Sequence, residues 1–158
     1  MTVLILLKWF LLATAGTMVP CIVLNVDKRL IGWAGLSGGL GYLAAVLVTP
    51  EFGIPGFMQV FLGAVVVGAL SETFARTFKA PALTFCIPAI FPLVPGITAY
   101  RTMQLIVAEK WKEAAASGLS TAAAAFSIAF GLMLVAALVR GLPRKPRRKP
   151  LPPSDTPF

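Results

Sequence analysis

Apolar residues run in five long blocks, Val3 to Leu24, Ile31 to Thr49, Ile54 to Thr73, Ala82 to Val107 and Ser117 to Val139, parted by short polar stretches. At about 1.5 Å per residue each block is long enough, with tilt, to cross a hydrocarbon core of about 30 Å as a helix. The pattern predicts an all-α integral membrane protein with about five transmembrane helices. A single polytopic domain is expected over residues 1–139, with a tail over 140–158. Composition agrees, since 58% hydrophobic against 13% charged residues lies outside the balance of a soluble globular domain.

The first block reads as a retained span rather than a cleaved signal. Ala13-Thr14-Ala15 resembles a small-residue cleavage site, but Lys8 sits inside the apolar run instead of ahead of it, and the run continues to Leu24. Basic residues then set the topology, because Lys and Arg accumulate in short cytoplasmic loops. With the N-terminus outside, Lys28 and Arg29, Arg76 and Lys79, and the six basic residues from Arg140 to Lys149 all fall on the cytoplasmic side. The Pro50 to Pro55 loop has no basic residue, and Glu109 and Glu113 offset Lys110 and Lys112. Five spans, N-out and C-in, satisfy the rule; a four-span chain whose fourth block dips in and returns would put the tail outside.

The net charge of +8 is mostly that tail, so it is no nucleic-acid footprint. The run Leu-Pro-Arg-Lys-Pro-Arg-Arg-Lys-Pro predicts a disordered, partly extended cytoplasmic segment. It serves either as an anchor on the anionic leaflet of the lipid bilayer or as a plain topology determinant. Cys21 and Cys86 lie in apolar stretches without metal-like neighbours, and the chain has no His. No metal, cofactor or enzymatic site is expected.

Small residues mark the packing faces. Gly32, Gly35, Gly38, Gly39 and Gly41 fall in the second span, and Ala123, Ser127 and Gly131 recur at four-residue spacing in the fifth. In lipid such residues let backbones approach. The same faces suit packing within the chain or against another subunit, homo-oligomerisation included.

The fourth block is the most informative. Pro88, Pro92 and Pro95 lack amide hydrogens, so in a continuous helix the carbonyls of Thr84, Pro88 and Phe91 would lose partners, and Gly96 adds a flexible point. Irregular backbone at membrane depth is tolerated against protein or around a wet cavity. The block therefore predicts a span broken by prolines and lining a cavity. A second half-helix is expected to start near Ile97 and Thr98, capped by Gly96 or Thr98, with its amide end offered to an anionic group. Pro88, Pro92, Pro95, Gly96, Thr98, Tyr100 and Arg101 form the candidate substrate pathway, visited by a carboxylate. The competing reading is a proline kink that only shapes packing. Glu72 and Arg76 stand one turn apart, either as a proton or ion-pair site or as an interfacial salt bridge.

Along Phe85-Cys-Ile-Pro-Ala-Ile-Phe-Pro-Leu-Val-Pro-Gly-Ile-Thr-Ala-Tyr100 the chain resembles the threonine/serine exporter family, whose membrane half carries a similar proline run. Its length and basic tail resemble the short, separately encoded subunit of that family. The resemblance implies a bacterial inner-membrane exporter working with a larger family subunit and moving threonine and serine or dicarboxylates such as succinate. The rival reading is a non-transporting scaffold that stabilises a partner membrane protein.

Overall fold

The structure, a computed structural model, describes residues 2–48 and 55–141. The 49–54 part of the expected outside loop and the tail from 142 onward lie outside the described residues. Every regular element among the described residues is helical: α1 (Thr2–Val23), α2 (Lys28–Leu47), α3 (Gly56–Phe78), α4 (Ala82–Ala89), a 3₁₀ turn (Phe91–Leu93), α5 (Gly96–Val107) and α6 (Trp111–Arg140). Four of these, α1, α2, α3 and α6, are long and apolar enough to cross a membrane singly. The stretch from α4 through α5 qualifies as a pair of segments bent by 52°.

The helices overrun the apolar blocks where local chemistry carries them further. α2 begins at Lys28 because the Asp27 carboxylate accepts the Arg29 amide at 3.2 Å, a cap that brings two basic residues into the helix. α6 begins at Trp111, six residues before the apolar block, with Glu113 favourably placed in the first turn and Ala114 to Ala116 propagating it. It also takes in Arg140, which the sequence reading assigns to the tail.

Three helices stop in the same way. Asn25, Lys79 and Glu109 each adopt positive φ (53°, 55° and 59°). The following amides reach back to the last turn, Val26 to Cys21 O (2.9 Å), Ala80 to Ala75 O (3.2 Å) and Lys110 to Leu105 O (3.0 Å). This is the Schellman closure, which glycine usually provides and asparagine tolerates. Lys79 and Glu109 hold it against their own Cβ preference.

Packing is organised around α2. Its buried face is Ala34, Gly35, Ser37, Gly38, Gly39, Gly41 and Ala45. Gly35, Gly38 and Gly39 meet Met18, Thr17 and Thr14 of α1, and Trp9 of α1 lies against Tyr42 at a ring separation of 6.1 Å, so α1 and α2 run antiparallel. On the other side Gly41 meets Gly63 and Val67, while Trp33 meets Phe74 and Phe78, so α3 runs antiparallel to α2. A Cβ on Gly63 would fall 2.8 Å from the Gly41 carbonyl and from Leu93 Cδ2. The expectation that all five glycines of this span pack is corrected at Gly32, which is exposed and has open space around it.

α6 lies parallel to α3. Phe130 stacks on Phe61 (5.9 Å), Gly131 sits against Ala64, Val135 against Gly68, and the Arg76 guanidinium donates to Val139 O at 3.2 Å. Both helix C-termini therefore end side by side. Eight residues precede Ala64 in α3 and twenty precede Gly131 in α6, so at the opposite end α6 extends roughly 18 Å further than α3. α4 lies antiparallel to α3, from Phe85 against Phe74 and Phe78 to Leu93 against Gly63.

Two stability changes of opposite sign follow from this packing. Gly63→Ala forces backbone apart and is expected to lower unfolding free energy in detergent by about 1–3 kcal/mol. Gly32→Ala meets nothing and is expected to raise it by up to about 1 kcal/mol. Glu109→Gly, which relieves the left-handed Cβ, is expected to stabilise by about 1 kcal/mol, read from the midpoint of the same denaturation.

Candidate functional site

The interrupted segment is built from local rules. Pro81 precedes α4 with extended backbone, and the helix proceeds to Ala89, where Pro92 can no longer supply the next amide. Ile90 still donates to Cys86 O (3.2 Å), and the chain then tightens: Leu93 donates to Ile90 O (2.8 Å) and Val94 to Phe91 O (3.3 Å). The Phe91 carbonyl, which a continuous helix would orphan at Pro95, thus recovers a partner. Pro95 takes φ −77° and ψ 56°, an inverse γ-turn closed by Gly96 N to Val94 O at 2.8 Å.

α5 starts at Gly96 with Pro95 at the cap position, not Gly96 or Thr98 as expected. The Thr98 hydroxyl donates to Pro95 O (3.0 Å), the carbonyl that also accepts the Ala99 amide (3.1 Å). The amides of Ile97 and Thr98 are left without acceptors, so the helix presents two free donors at its start.

The residues named from sequence fall into two groups. Pro88 is buried in the bundle, and Pro92 lines a crevice of about 320 Å³ with Trp9, Leu12, Gly16, Tyr42 and Phe91, between the break and the α1–α2 pair. Gly96, Thr98, Tyr100 and Arg101 belong to α5, which buries none of its residues and packs against α6. Thr102 and Ser117 hydroxyls lie 3.0 Å apart, and the Thr102 hydroxyl donates to Thr98 O (2.8 Å), so a small polar joint holds α5 to α6. At 100° per residue, Thr98, Thr102 and Leu105 face α6. Ile97, Tyr100, Arg101 and Gln104 share a second face, and Ala99, Met103 and Ile106 an apolar third. Ile97 and Tyr100 are 87% and 65% exposed, so the polar face has no cover from this chain.

Glu72 and Arg76 do not turn toward each other: the Arg76 guanidinium engages Val139 O across the α3–α6 seam. Glu72 instead borders a second crevice between α3, α4 and α6, together with Ser71 and Cys86. Sequence reasoning missed Ser71, which nothing marks except its place beside Glu72, and it missed the Thr102–Ser117 joint, whose members lie 15 residues apart.

Comparison with known families decides the class. The family model described as threonine/serine exporter, ThrE, matches residues 9–138, from within α1 to near the end of α6. The chain belongs to the threonine/serine exporter family. That family is one of membrane transporters rather than enzymes, which agrees with four helices long and apolar enough to cross a membrane and one bent pair. No solved structure matches this exporter-family chain.

Because the polar joint is what ties α5 to the bundle by side-chain hydrogen bonds, Thr102→Val with Ser117→Ala should loosen it. Amide hydrogen exchange over residues 96–107 is expected to accelerate about eightfold, for roughly 0.6 kcal/mol for each of the two hydrogen bonds Ser117 makes with α5, with α2 and α3 unchanged.

Proposed function

We propose that this chain is the small membrane subunit of a two-component secondary exporter for small carboxylate-bearing metabolites, threonine and serine or succinate-like dicarboxylates. The observation that carries the reading is the uncovered α5: within an exporter-family chain, a helix following a proline break presents Tyr100, Arg101 and Gln104 on a face its own chain leaves open. Against hydrocarbon an arginine costs about 2.5–3.5 kcal/mol on insertion scales, so this face calls for a protein partner or water. A larger family subunit seated there would close a pathway between Pro88, Pro92, Pro95, Gly96, Thr98, Tyr100 and Arg101. The free amides of Ile97 and Thr98 and the Arg101 guanidinium supply positive potential for a substrate carboxylate.

The parallel course of α3 and α6 supports five crossings. Two parallel neighbours require the intervening chain to travel back across the layer, and residues 79–110 do so as α4, the break and α5. With Lys28, Arg29, Arg76, Lys79 and Arg140 on one side, the orientation is N-out and C-in in a bacterial inner membrane.

Efflux of labelled threonine, serine and succinate from vesicles tests the reading. The pair of subunits is expected to export one of these substrates, this chain alone none, and the pair carrying Pro92→Ala, Pro95→Ala and Gly96→Ala at least tenfold less. Export retained by the triple variant removes the break from the mechanism. No export from an assembled pair favours a scaffold.

A further inference from the structure

The crevice bordered by Gly68, Ser71 and Glu72 of α3, Leu83 and Cys86 of α4 and Met133 of α6 has a volume of about 220 Å³. It holds a carboxylate six residues before the end of a spanning helix, and no lysine or arginine lines it. The neighbouring cation, Arg76, is engaged elsewhere. An unpaired carboxylate beside apolar walls is costly unless a positive charge joins it.

A second observation is independent of that charge. Ser71 is fully buried, and its hydroxyl, beside the Cys86 thiol, makes no well-directed hydrogen bond among the described residues. Other hydroxyls on these helices satisfy themselves on the carbonyl four residues back, as Thr17, Thr73, Thr121 and Ser127 do at 2.7–2.9 Å. For Ser71 that carbonyl is Val67 O, which already serves the helix ladder and receives Ser37 Oγ from α2 at 3.5 Å. The Ser71 oxygen is thereby left over at the crevice wall, with lone pairs to offer.

From this juxtaposition we infer that the α3–α4–α6 crevice is a monovalent-cation subsite, with Glu72 as counter-ion and Ser71 Oγ as neutral ligand, taking the ammonium head of an amino-acid cargo or an alkali ion. The inference rests on the transport reading above, but it concerns a different part of the fold from the carboxylate-facing break. Cys86 supplies a reporter inside the site, and Cys21, the other cysteine, is fully buried.

The test is the rate at which N-ethylmaleimide modifies Cys86 in vesicles carrying the full chain with Cys21→Ala, followed by mass spectrometry. Threonine at ten times its Kd is expected to slow modification about tenfold if the ammonium head is the ligand. Sodium or potassium does so without amino acid if the ligand is an alkali ion. Glu72→Gln is expected to abolish the protection, measured against that variant's own rate without cation; where that variant misfolds, Ser71→Ala, which keeps the charge, is expected to weaken it severalfold on the same comparison. Protection by succinate alone, protection surviving Glu72→Gln, no protection by any cation, or a Cys86 that never reacts would each overturn the assignment. Because no transport is read, a failed efflux assay and a failed subsite remain separate results.

Discussion

Everything in this fold depends on how closely α2 approaches its neighbours. Between apolar helices in lipid there is no hydrophobic gain from association, so dispersion and hydrogen bonding must hold them, and both need short distances. The Gly41–Gly63 crossing supplies that distance on one side and Gly38 and Gly39 against Thr17 and Thr14 supply it on the other. Leu93, at the end of the 3₁₀ turn, lies on the same Gly63. The position of the break is therefore set by the crossing as much as by its prolines.

A second constraint is directional. Arg76 on Val139 O and the ladder of contacts from Phe61–Phe130 to Gly68–Val135 fix α3 and α6 in the same sense. The chain between them has to come back, and it does so in two pieces parted at residues 90–95, which hold Pro92 and Pro95. The first piece, α4 with the 3₁₀ turn after it, fills the groove between α2 and α3 and ends on buried Leu93; the second, α5, leaves the bundle and follows the overhanging start of α6. Bundle and overhang thus present different surfaces, one closed on itself and one open along Tyr100, Arg101 and Gln104.

The spanning helices were legible in the sequence because their signal is local: twenty or so apolar residues cannot be accommodated otherwise. The irregular stretch was legible only in part: the helix ends ahead of Pro92, while Pro88, whose missing amide reads the same way, sits within α4. Helix ends were less so. Lys112 and Glu113 read as a loop, yet they extend α6, because a charged residue past the apolar block says nothing against a helix outside hydrocarbon. The i, i+4 spacing of Glu72 and Arg76 suggested a pair, but the arginine found a carbonyl 63 residues away that no local pattern announces. Ser71 is the extreme case: the carbonyl one turn back, which Thr17, Thr73 and Ser127 use in their own turns, is for Ser71 shared with Ser37 of another helix.

The three left-handed turns at Asn25, Lys79 and Glu109 divide the chain in a way the helix count conceals. Each joins two antiparallel helices through a tight closure, giving α1–α2, α3–α4 and α5–α6 as three hairpins. The joint between the second and third hairpins, at 90–95, is irregular. Each tight closure satisfies the last carbonyls of one helix before the next begins, so each hairpin carries a turn that asks little of its neighbours. The 90–95 joint then marks the border between the second and third hairpins, so the uncovered face of α5 belongs to the last of the three.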